Sequence, residues 1–422
     1  MTRSLSAAIS GIDANQSMLD TIGNNIANVN TVGYQSSDVQ FADLLYQQAG
    51  GAGSPVPGVT GGTNPIEIGS GVRVASTLTN FAQGTIQQTG VQTDLAIQGQ
   101  GFLVTSQGGN TYYTRAGNLQ LDALGELVTP EGQVVQGWVP GANGQINTSG
   151  PLSNLVIPQG QAANPQVTKN ITLGGNLPTW SGTGTPPSYT ATVTAYDSLG
   201  GQVPITLTFT ATATPDTWSV VATAPNPGGG TDTLTPAGTT ISFDPTSGQL
   251  TSSAPIALSG FTGYPNLPAG YSMNLDFPAP GTPQAVTQFA GTSSIQVTSQ
   301  DGFPSGSLNG FTIGSDGTIT GNYSNGRSQP LGQVAIATFA NNEGLAKVGG
   351  LAYQATVNSG TAQLGVAGAG GRGTLVGGAV EGSNVDLGTQ LTDLIVAQTA
   401  YQANTKVVST TATVLQNLVQ TA

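Results

Sequence analysis

Carboxylates are the only strong candidates for acid-base work in this 422-residue chain, which contains neither His nor Cys. That removes Ser-His-Asp and Cys-His pairs, His/Cys zinc sites and any disulfide framework, because the base, the nucleophile and the soft ligand are missing. Asp301 with Asp316, or Asp197 with Asp216, have the residue types for a glycosidase pair or an oxygen-ligand calcium site. All four sit beside Gly, Ser or Pro, where a short carboxylate bonds its own backbone, so a turn role is the expected one. No catalytic residue, cofactor or metal is assigned.

The elements around these residues are poor in charge. Only 7% of residues are charged, and 20 acidic against 8 basic side chains give a net charge of -12. Nucleic acid and anionic membranes would be repelled, and no apolar run approaches the ~18 residues of a membrane span. The start, Met1-Thr2-Arg3-Ser4-Leu5, lacks the basic and apolar regions of a secretory signal, so export is expected without a cleaved leader. With 37% apolar residues, 62 Gly and 25 Pro, the composition suits two to three β-rich domains.

Both ends read as helices. Leu5, Ile12, Leu19 and Ile26 fall seven apart, with Ile22 and Val29 three residues after the last two, which draws one narrow stripe. Leu387, Leu394, Tyr401, Val408 and Leu415 repeat the interval, with Leu391, Ala412 and Val419 on an adjacent seam. Ser383-Asn384-Val385-Asp386 supplies a start signal in which the Ser oxygen accepts an orphan N–H three residues on. The β-branched run Val407–Val414 and the Asn-rich first helix make both weak formers, expected to fold when their stripes meet each other and neighbouring copies.

Between the ends, Thr, Val, Ile and Gly alternate with period two. Ile205, Leu207 and Phe209 share one strand face, and Asp-Gly turns recur at 122–125, 244–248 and 316–317 as hairpin signals. The expected fold is α+β: paired coiled-coil-like terminal helices with nested all-β insertions. The expected parts are a helical domain of residues 1–34 with 384–422, a linker or extended arm over 35–80, an inner β domain of 81–165 with 286–383, and an outer one over 166–285. Pro140–Gly144 is expected to be a loop, and Asn176–Pro187 and Phe277–Pro280 are expected boundaries.

Asn24-Asn25-Ile26-Ala27-Asn28-Val29-Asn30-Thr31-Val32-Gly33-Tyr34 describes a helix stop, with Asn and Gly supplying left-handed conformations. Together with Ser383-Asn384-Val385-Asp386 and Ile395–Lys406 it resembles the paired terminal signatures of the bacterial flagellar rod and hook protein family. Gln35 stands where that family usually carries a basic residue. Asp94–Val104 with Tyr113–Asn118 is similar to the domain shared across the family, while Ala195–Gly200, Leu275-Asp276-Phe277 and Gly321–Gly326 resemble its hook branch.

The resemblance implies a homopolymer. Terminal helices would pack as an inner tube, and outer β layers would slide as a curved, torque-transmitting coupling turns. It also implies a distal rod protein, a hook-filament junction protein, a hook cap and the flagellar type III export apparatus as partners, in an extracellular flagellar location. A distal rod protein is the alternative within the family. A secreted β-rich carbohydrate-active enzyme or adhesin is the alternative of another class, and it would need a cleft of convergent carboxylates.

Overall fold

The computed structural model describes residues 2–55, 57–58, 61–141, 144–160, 162–236, 238–251 and 253–421. The loop tip expected at Ala142 and Asn143, and Val56, Val59 and Thr60 of the expected arm, lie outside the described residues. Helix α1 spans Thr2–Ala27 and helix α2 spans Leu387–Thr421. They run antiparallel, since Asn25 meets Gln390 while Gly11 faces Asn404. α1 ends in a run of turns in which the Asn28 and Val29 amides bond back to the Asn24 and Ile26 carbonyls, and Gly33 takes a left-handed φ of +71°.

The start of α2 corrects one expectation. Asp386 Oδ1, not the Ser383 hydroxyl, accepts the amides of Gly388 at 2.8 Å and Thr389 at 3.2 Å. The helix begins at Leu387, so Asp386 holds the capping position and those amides are the second and third of the helix. Ser383 Oγ instead accepts the Val385 amide and shapes the approach.

The chain forms two compact units. The first contains residues 1–158, 311–320 and 329–422. Besides the helices it holds the segment expected as an arm, which is a two-stranded ribbon. Ser37–Asp43 pairs with Val72–Thr79, and Tyr46–Gly50 with Ile66–Gly69, both antiparallel. Its β body is built on the hairpin Phe102–Gln107 with Asn110–Thr114, closed by Gly108-Gly109 in positive φ. Phe102, Val104, Tyr113, Trp138, Ala337 and Tyr353 form the core, with Phe81 edge-on to Phe102 at 5.3 Å.

The second unit contains residues 159–310 and 321–328. Ser188–Tyr196, Gln202–Ala211 and Thr217–Pro225 make an antiparallel sheet whose Val203, Ile205, Leu207 and Phe209 are buried on one face. A second sheet, with Asn170–Leu177 at its centre, contributes Ile171, Leu173, Leu258 and Leu275 to the same core. The boundary expected after residue 285 falls elsewhere. Val286–Gln288 and Gln296–Gln300 both pair with Asn170–Leu177, so the Pro-rich stretch at 277–280 is a loop inside the unit. Asn176–Pro187, the other expected boundary, likewise joins two strands of this unit.

Candidate assembly interface and the joint that carries it

The two helices meet through small and short polar side chains. A Cβ at Gly11 would lie 2.7 Å from Asn404 Nδ2, so the backbones approach where nothing bulky fits. Ala8, Gly11, Ala14, Ile22 and Asn25 are buried on α1, while Leu5, Ile12, Leu19, Ile26 and the following Val29 are half-buried. On α2, Gln390 and Ala397 are buried and Leu394, Tyr401, Asn404, Val408 and Thr411 half-buried. The seam expected through Leu391, Ala412 and Val419 therefore lies one position away, through Gln390, Ala397, Asn404 and Thr411. Leu391 sits on the open face instead, with Ile395, Val396, Val407 and Val414, while Leu387 and Leu415 keep the interval of Leu394, Tyr401 and Val408 but are exposed near the two ends of α2, Leu415 past the start of α1. Ile395 is 63% exposed.

Sequence reasoning missed the Ala, Gly and Asn of this seam because it followed large apolar residues. The signal was present: Ala8, Asn15, Ile22 and Val29 keep the same interval of seven.

Below the pair, the exit of α1 and the entry to α2 form one hydrogen-bonded joint. Asn25 is fully buried and makes four bonds, the full complement of its amide. Its Nδ2 donates to the Ser37 carbonyl at 2.8 Å and to Gln390 Oε1 at 2.9 Å. Its Oδ1 accepts from the Tyr34 hydroxyl and the Ser37 amide, both at 3.0 Å. Tyr34 is thus an anchor within its own chain, and burial pushes its phenol up from the ordinary value. Phe41, further along the ribbon, is exposed.

Asn384 does the same for α2. Its two Nδ2 hydrogens are shared among Gln35 Oε1 and the Asn80 and Ala82 carbonyls, and its Oδ1 accepts the Ser36 amide. Asn28 accepts from the Thr31 hydroxyl and so shapes the turn, whereas Asn30 is exposed. Gly33 has no substitute: a Cβ there would lie 2.6 Å from the Ala116 backbone.

Charge enters the joint from the β body. Glu381 is fully buried and pairs with buried Arg115 at 3.2 Å, and its Oε1 also accepts the Gly84 amide and the Gln35 amide group. Lys347 Nζ donates to the Gln35 carbonyl and Ser37 Oγ and lies 5.4 Å from the Tyr34 ring centroid. Burial lowers its pKa. Gln35, Arg115, Lys347 and Glu381 do not stand out from sequence as a group, since nothing in spacing brings them together.

Of the carboxylates considered for chemistry, Asp197, Asp216 and Asp316 lie in turns as expected, whereas Asp301 bonds a distant strand, 131–132 residues away in the chain. Asp301 accepts the Lys169 and Asn170 amides, Asp197 those of Leu199 and Gly201, and Asp316 that of Thr318. Asp216 holds a left-handed φ of 56° in a turn. Among the described residues no three His, Cys, Asp or Glu are grouped to hold a metal, and no helix is long and apolar enough to cross a membrane.

The terminal helices are thus paired through a tight seam, open on an apolar face and locked to a β body by a buried polar joint. Known families match the chain segment by segment. Residues 5–35 match the family described as flagella basal body rod protein, and 376–421 the flagellar basal body rod FlgEFG protein C-terminal family. Residues 96–175 match the flagellar hook protein FlgE/F/G D1 domain, and 177–303 the flagellar basal body protein FlaE D2 domain.

The flagellar hook protein FlgE of Treponema pallidum is 37% identical, covering 99% of each chain. Those of Borreliella burgdorferi and Salmonella typhimurium are each 35% identical, with 99% or more of both chains covered. The crystal structure of Helicobacter pylori flagellar hook protein FlgE2 shares the fold, with a TM-score of 0.51 at 17% identity over 68% of this chain and 98% of that one. The chain belongs to the flagellar hook protein family.

Proposed function

We propose that this chain is the repeating subunit of a flagellar hook, polymerising through its terminal helices into a flexible, curved tube that transmits torque from rod to filament. The observation that carries this reading is the open face of α2. Leu387, Leu391, Ile395, Val396, Val407, Val414 and Leu415 remain exposed after the pair has formed. Fully burying an exposed Leu or Ile contributes roughly 1.5–3 kcal/mol, of which these half-covered side chains stand to gain about half, and copies of the same helix pair present complementary apolar area.

The outer β units suit a different contact. With few charges and many Thr, Ser, Asn and Gln, they meet neighbours through hydrogen bonds worth about 0.5–1.5 kcal/mol net, which exchange with water at small cost. Such contacts permit sliding. The other partners are a distal rod protein, a hook-filament junction protein, a hook cap and the type III export apparatus. Deleting residues 387–422 tests the reading: the truncated protein should keep its β units and form no tubes, and tubes of normal diameter would defeat it.

A further inference from the structure

The hydroxyls of α2 are distributed unevenly. Up to Asn404, among the described residues, Thr392 and Thr399 donate hydroxyls back to helix carbonyls, those of Gly388 and Ile395. In the next nine residues Thr405, Ser409, Thr410, Thr411 and Thr413 all bond back onto the helix.

Two consecutive carbonyls carry most of this load. Lys406 O faces the hydroxyls of Ser409 at 2.9 Å and Thr410 at 3.0 Å; Val407 O faces those of Thr410 at 3.0 Å and Thr411 at 2.8 Å. Each is also the helical acceptor of an amide, that of Thr410 or Thr411. Three hydroxyls, that of Thr410 shared between the two carbonyls, and two amides thus converge on four lone pairs, so hydroxyl competes with amide, and back-bonding of this kind bends helices. The stretch is also β-branched, which weakens helix formation.

Support from α1 runs out at the same place. The register set by Asn25 with Gln390 and Gly11 with Asn404 places Thr411 opposite Ser4, so the last turns of α2 extend past the start of α1. Side chains from Ala412 to Asn417, with Val419 and Gln420, are all exposed.

We propose that residues 405–413 are a built-in bend in α2, placed where the partner helix ends, that lets the final turns re-aim while the paired part stays fixed. In a tube this keeps the overhanging turns docked on a neighbouring copy as curvature changes. That role rests on the polymer reading above; the bend does not.

Hydrogen exchange on assembled tubes tests it, comparing native protein with the triple variant Ser409→Ala, Thr410→Val, Thr411→Val. In the native helix the amides of Thr410 and Thr411 should exchange about ten-fold faster than those of 394–400, and the variant should close that gap. Thr399→Val, which removes a single hydroxyl, should change nothing. Even protection along native α2, or an undiminished gap in the triple variant, overturns the bend. Absence of tubes from native protein would count against the polymer reading alone, and the same comparison on the soluble chain would still decide the bend.

Discussion

Asn25 Nδ2 donates to Gln390 Oε1 across 2.9 Å, a hydrogen bond between residues 365 positions apart that ties the end of one terminal helix to the start of the other. Because Asn25 is buried and all four of its bonds are made, removing its side chain takes this partner from the Ser37 amide and carbonyl and from Gln390 at once, and leaves the Tyr34 hydroxyl only the bond it accepts from Asn24. Asn25→Ala should therefore destabilise the first unit by about 3 kcal/mol, read from urea unfolding. Asn25→Asp should also destabilise it, since a carboxylate cannot donate to Gln390 or to the Ser37 carbonyl.

Two glycines of the same region should respond in opposite directions. Gly33→Ala meets a left-handed φ and the Ala116 backbone together, and should cost more than ~2 kcal/mol. Gly23 lies inside α1, and a Cβ added there would meet nothing within 4 Å. Gly23→Ala should raise stability by roughly 0.5–1 kcal/mol. Thermal unfolding of both variants checks the contrast.

Breaking the buried ion pair should cost more than replacing it. Glu381→Gln or Arg115→Met alone leaves an uncompensated buried charge, with an expected loss of roughly 3–5 kcal/mol. The double variant Arg115→Met, Glu381→Leu should recover part of that loss. A double variant no more stable than the worse single one would show that the pair's other bonds, to Gly84 and Gln35, outweigh the charge interaction.

Acid should loosen one turn before the cores. The Thr246 hydroxyl, then the Ser247 and Thr246 amides, hold Asp244 down at about 2. A depressed carboxylate pKa stabilises above the unfolded value near 3.8 and ceases to do so as pH falls through about 2. The Thr246 and Ser247 amide resonances should therefore shift between pH 4 and 2, before those of the sheet residues Leu207 and Phe209.

The helices, the β middle and the Asp-Gly turns are legible in the sequence because each rests on local periodicity or on one residue's bonds to its own backbone. Ile205, Leu207 and Phe209 show it for a strand, and Asp122, which accepts the Leu124 and Glu126 amides, for a turn. The joint is not legible beyond its Asn and Gly residues. Arg115, Lys347 and Glu381 reach it only after the β body folds, and no spacing along the chain foretells that meeting. The α2 seam lies one position from the expected one because large apolar residues mark what a helix leaves for other copies as readily as what it buries in its own pair.

Assembly through the open face of α2 is tested most directly by Ile395→Asp with Val396→Asp. Both positions are more than half exposed, so the charges should leave the subunit's own fold intact, as read by near-ultraviolet circular dichroism and unfolding midpoint. Electron microscopy should then show no tubes, because carboxylates would be forced into apolar contacts. Tubes of normal length and curvature from the double variant would contradict assembly through this face.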